Sequence, residues 1–108
     1  MTATSLTEAR DKILASVARE TGVPVSEISD PRARGRRAVD ARHVAMWVVR
    51  EVGEQGYEGD ETEVYALFGT RLRTIDKACS RVYETPSLRG LAKRLLNEHR
   101  PATSLGVG

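Results

Sequence analysis

Between residues 41 and 52 the chain places Ala41, Val44, Ala45, Val48 and Val52 on one helical face and adds Met46, Trp47 and Val49 around it. A helix that is apolar on nearly every side has to be covered by its neighbours. This requirement constrains the fold more than any other feature: the chain needs one central helix, expected over residues 41–54 behind Asp40 as its cap, with amphipathic helices packed about it. At 108 residues, one domain is the natural expectation. One Trp, one Phe and three Tyr leave Val, Leu, Ile and Ala to fill most of the core.

The flanking segments supply such helices. Leu6, Ala9, Ile13 and Val17 recur at helical spacing over residues 6–20, with Ser5 or Thr7 to cap the start and Gly22 and Pro24 to end it. Residues 25–30 allow one short helical turn. A short helix is expected over residues 60–68, with Val64, Leu67 and Phe68 facing inward, then a turn at Gly69. The next helix, ending near Glu84, carries Ile75, Ala78, Cys79 and Val82 at i, i+3, i+4 and i+7. Thr85-Pro86 opens a last helix running to about residue 99, with Leu88, Leu91, Leu95 and Leu96 inward and Arg89, Lys93, Arg94 and Arg100 outward. This helix reads as a clamp on the bundle, with a dimer contact as the other reading. The expectation is an all-α helix-turn-helix bundle of about five helices over residues 6–100, between flexible ends at 1–5 and 101–108.

Several chemistries lack their residues. Cys79 is the single cysteine, so no internal disulfide forms, and with only His43 and His99 there is no Cys/His set for zinc. No nucleophile–base pair or pair of carboxylates stands at a recognisable spacing, so no catalytic residues, metal or cofactor are expected. There is no signal segment and no apolar run near the ~20 residues that span a membrane. A cytoplasmic, soluble protein without membrane contact is expected.

Charge points elsewhere. Net charge is only +2, but the signs are segregated. Acidic residues gather at Glu51, Glu54, Glu58, Asp60, Glu61 and Glu63, whereas residues 31–37 read PRARGRR. Pro31 and Gly35 make that segment a loop. The guanidiniums of Arg32, Arg34, Arg36 and Arg37 repel one another there, a cost that an anion would relieve. Arg42 adds a cation at the start of the central helix, where the helix dipole disfavours it unless it too meets an anion. A second group, Thr70, Arg71, Arg73, Thr74 and Lys77, surrounds the start of the next helix but one. In a helix-turn-helix, the N-terminal part of the second helix is what meets base edges in the major groove. Arginine suits bidentate contact with phosphate or guanine.

Two segments together resemble a known family. The run from Arg36 and Arg37 through Arg42, His43, Met46 and Trp47 resembles the basic loop and helix start of the C-terminal DNA-binding domain of the bacterial replication initiator DnaA, where a helix opens Arg-Gln-hydrophobic-Ala-Met. His43 stands for that Gln. Leu67-Phe68-Gly69 and the run from Thr74 to Cys79 resemble its second signature, a Phe-Gly-Gly turn before the recognition helix. The family's base-reading Asp-His pair is replaced by Leu72 and Arg73, and one residue is missing between Phe68 and Thr74. The resemblance covers roughly residues 17–82. It implies phosphate and minor-groove contacts from Arg36, Arg37 and Arg42, which the loop's Arg32 and Arg34 are expected to join, and major-groove contacts from Arg71, Arg73, Thr74 and Lys77, beside Thr70. No G-x-x-x-x-G-K-[ST] phosphate loop is present, so the expectation is a free-standing reader without the family's ATPase module.

The expected activity is sequence-specific binding of double-stranded DNA by a monomer, in a small regulator of transcription or replication of phage or mobile-element type. A protein partner in either process is the other partner considered. The rival readings are a ligand-switched, Trp-repressor-like dimer and a protein-binding adaptor whose DNA-reading residues have degenerated.

Overall fold

The structure is a computed structural model that describes residues 6–30, 32–54 and 68–99. Among them are five helices: α1 (Leu6–Thr21), α2 (Val25–Ile28), α3 (Arg36–Glu54), α4 (Leu72–Glu84) and α5 (Pro86–Glu98). The architecture is an all-α bundle. The expected first helix of the helix-turn-helix lies, apart from Phe68, outside the described residues, as do the two chain ends and most of the acidic cluster.

α3 is the central element and packs against all four other helices. Six consecutive residues, Val44 to Val49, are each at most 8% exposed. With 3.6 residues per turn, six in a row sample every direction around the axis, so the helix is covered on all sides over this stretch. Trp47 belongs to this core. α1 contributes Ala9, Ile13, Leu14 and Val17; α4 contributes Ile75, Ala78 and Val82; α5 contributes Ala92, Leu95 and Leu96.

Ion pairs record how the helices run. Arg50 meets Asp76 at 3.1 Å and Asp40 meets Arg81 at 3.4 Å, in opposite order along α3 and α4, so these two are antiparallel. Likewise α1 and α5 are joined in reverse order, with Arg19 on Glu98 at 3.1 Å and Glu20 on Arg94 at 2.8 Å. Ser16, a buried polar residue on α1, donates from Oγ to Glu98 at 3.2 Å and lies 2.8 Å from Nε2 of His99. The last helix is therefore clamped onto the first by a polar network.

One boundary and one cap differ from expectation. α3 starts at Arg36, five residues before the expected Ala41, and the first turn is closed by Val39 N–H donating to Gly35 O at 2.9 Å. Ala38 is buried, and extending the helix backwards is what places it there. Asp40 consequently sits inside the helix, and its carboxylate is an ion-pair partner rather than a cap. Pro86 does occupy the first turn of α5, but the Thr85 hydroxyl makes no capping hydrogen bond. Gly22 and Gly69 both adopt positive φ, +78° and +61°, the left-handed conformation expected where helices end.

Candidate functional site

The basic segment is built on the short stretch after α2. Asp30 starts a turn in which its Oδ1 accepts the Arg32 N–H at 2.9 Å and its carbonyl accepts the Ala33 N–H at 3.0 Å. Such local side-chain and backbone bonds are the usual way an Asp organises a turn. The larger constraint comes from α3. The Arg42 guanidinium donates from Nε to Ile28 O at 3.0 Å and from Nη2 to Ala33 O at 3.0 Å, to Asp30 O, and at 3.4 Å to Glu27 O. Four carbonyls, two of them at the C-terminal end of α2, converge on one cation. Partial burial pushes the Arg42 pKa below its ordinary value, opposed by Asp30.

The Nε and Nη2 donors of Arg42, expected on phosphate, here face the protein's own backbone. Arg37 is also engaged: Nη2 donates to Thr21 O at 2.8 Å, at the negative end of the α1 dipole. Arg32, Arg34 and Arg36 remain exposed, and none makes a side-chain hydrogen bond or ion pair among the described residues. Arg36 stands in the first turn of α3, which contains no acidic residue to offset the helix dipole.

The second group begins at the Gly69 turn. Thr70 is half-buried, Arg71 is the extended residue before α4, and Arg73, Thr74 and Lys77 project from the helix into solvent. The apolar stripe of Ile75, Ala78 and Val82 is fully buried against the bundle, and this fixes which face of α4 is outward. Arg71, Arg73 and Lys77 have no acceptor among the described residues. The acidic residue within this stretch, Asp76, is neutralised by Arg50.

Because α3 and α4 are antiparallel, the two cationic groups sit toward opposite ends of the pair. Asp40 to Arg50 alone spans about 15 Å of helix axis. The two groups are separate patches on one rigid frame, not one continuous cluster.

Sequence reading missed the cross-helix pairs Asp40–Arg81 and Arg50–Asp76, which have no local spacing to announce them. His43, half-buried on α3, has a buried Nδ1 with no hydrogen-bond partner, and burial holds its pKa below the ordinary histidine value; Arg81 and Arg42 act in the same sense and Asp40 opposes. On another side of α3, Trp47, Cys79 and Tyr83 line an open groove of about 400 Å³. Burial raises the Cys79 pKa, which keeps it a thiol. No group of three or more potential metal ligands exists among the described residues, and no described helix is long and apolar enough to cross a membrane. In comparisons with known proteins, the chain matches no family model, no curated protein and no solved structure.

Proposed function

We propose that this chain binds double-stranded DNA, with Arg32, Arg34 and Arg36 on phosphates and Arg71, Arg73, Thr74 and Lys77 at the major groove. One observation carries the reading. Among the described basic residues, Arg10, Arg19, Arg50, Arg81 and Arg94 are held by carboxylates, and Arg37, Arg42 and Arg89 by backbone carbonyls. The cations left exposed and without an acceptor are the six at positions 32, 34, 36, 71, 73 and 77, together with two isolated lysines, Lys12 and Lys93. The six lie in or beside the two segments that resemble the DnaA DNA-binding signatures. An internal partner would have to be broken before a cation met phosphate; these six have none among the described residues. Arginine on a helix entering the major groove can take a guanine by two parallel hydrogen bonds, worth about 1–3 kcal/mol of discrimination.

The test is selection from a random duplex pool, followed by titration of the winner and of its scramble at two salt concentrations. An enriched motif, and binding whose logarithm falls with log salt at a slope of about −0.9 per phosphate contact, is the expected result. No enriched motif, together with binding that is equally weak on every duplex, would reject sequence-specific reading and favour a basic face that docks an acidic protein.

A further inference from the structure

We infer that Arg42 is the positioning residue of the phosphate-contacting segment: it presets the display of Arg32, Arg34 and Arg36 without touching DNA itself. The inference rests on the DNA-binding reading for its consequence, but its structural half stands on geometry alone. Residues 29–35 contain little that would order them. Ala33 is the one apolar residue there that packs on the core; the rest is a Pro, a Gly, two polar residues and two mutually repelling guanidiniums, with that of Arg36 next in line. Ser29 and Asp30 finish the turn of α2, their N–H groups donating to Val25 O and Glu27 O, and beyond them the local bonds are the two that the exposed Asp30 accepts from Arg32 and Ala33. Gly35 is tied by its carbonyl to the first turn of α3, and the side-chain ties from the rest of the bundle among the described residues come from Arg42, which gathers the carbonyls of Glu27, Ile28, Asp30 and Ala33 from a fixed position on the central helix. Ala33 lies between Arg32 and Arg34, so anchoring its carbonyl limits both neighbours. Ordering the segment before DNA arrives removes an entropic cost from binding.

A planar guanidinium with donors on Nε and Nη2 can serve carbonyls in several directions; an ammonium on a flexible stem cannot reproduce that fork. The variants Arg42→Lys and Arg42→Ala therefore separate positioning from phosphate contact. Hydrogen exchange of the free protein is followed at the Arg32 and Ala33 amides, and binding of a short labelled random-sequence duplex is measured across a salt series. The expected result is that both variants lose protection at these two amides by about tenfold or more and bind about tenfold more weakly, while the salt slope of Arg42→Lys stays at the wild-type value. If Arg42→Lys restores wild-type affinity while Arg42→Ala shallows the slope by about 0.9, Arg42 is a phosphate contact and the inference is overturned. Unchanged amide protection in both variants overturns it as well. If Arg42→Ala does not fold, Arg42→Lys alone decides between these outcomes. Should the wild-type protein bind no duplex at all, the DNA reading fails, whereas the exchange measurement still decides whether Arg42 orders the segment.

Discussion

At Gly22 the chain leaves α1 with φ +78°, its N–H donating to Ala18 O at 2.8 Å. A Cβ there would stand 3.2 Å from Arg37 Nη2, the nitrogen that donates to the last carbonyl of the same helix. Gly22→Ala thus meets both a left-handed backbone and a cation held in place, and it should lower the free energy of unfolding by about 1–2 kcal/mol, read as a shift of the urea midpoint with the slope unchanged. Gly35→Ala, with open space and no positive φ, is the control and should stay within about 0.5 kcal/mol of wild type. His99 makes a pH prediction. Burial holds its pKa below the ordinary value, with Arg19 and Lys12 acting in the same sense and Glu98 opposing. The unfolded chain then takes up the proton first, so the histidine's contribution to stability is intact above about pH 6.5 and is lost as pH falls below it. His43 is shifted the same way. Urea titrations between pH 8 and pH 5 should show a decline that His99→Gln makes shallower but does not abolish. An identical decline in that variant would mean that His99 is not a linked group.

Among the elements, α4 has the sharpest division of labour. Ile75 is 1% exposed and packs in the core, while Thr74, one residue earlier, faces solvent. Ile75→Ala should cost about 2–5 kcal/mol of stability and Thr74→Ala under about 0.5 kcal/mol; comparable losses by thermal denaturation would mean that α4 is rotated from the orientation described. This orientation was legible in the sequence, because the i, i+3, i+4, i+7 stripe answers to burial alone. The central place of α3 was legible for the same reason, and so were the helix stop at Gly22 and the left-handed backbone at Gly69, where backbone sterics leave little choice. The start of α3 was not. Arg36 and Arg37 run against the helix dipole, and Asp40 carries the usual mark of a cap, so local signals agree on a later start. Tertiary contacts override them: Ala38 is buried against the bundle, Arg37 is tied to α1, and Asp40 is drawn to Arg81. In the candidate site, the exposed arginines could be read from composition, because nothing apolar accompanies them. The carbonyl-gathering role of Arg42 could not. It depends on where the backbone of residues 27–33 passes, and a string of residue types carries no such information.

Over the whole molecule, the small net charge conceals two populations of charge that do different work among the described residues. One population is internally matched and joins helices: Glu20 and Glu98 between α1 and α5, Asp40 and Asp76 between α3 and α4. Exposed pairs of this kind stabilise by less than about 1 kcal/mol each, so their main effect here is to occupy carboxylates that would otherwise neutralise the unmatched cations. The second population, toward the two ends of the α3–α4 pair, has no matching partner among the described residues and lies outside the core. It follows that these cations can be removed without unfolding the protein, and that the two ends should fail differently if the DNA reading is right. Arg34→Ala should weaken binding to every duplex by a similar factor and shallow the salt slope by about 0.9, because one phosphate contact is lost. Arg73→Ala should reduce the ratio of selected to scrambled affinity by about 1–3 kcal/mol while changing the scramble little, because a base-edge contact is lost. Both variants should keep the wild-type unfolding midpoint, since neither side chain makes a hydrogen bond or ion pair among the described residues. Parallel titrations of both variants on both duplexes decide the matter. Equal losses on every DNA would mean that the two patches act as one undifferentiated basic field, and a fall in stability in either variant would place its arginine in the matched population instead.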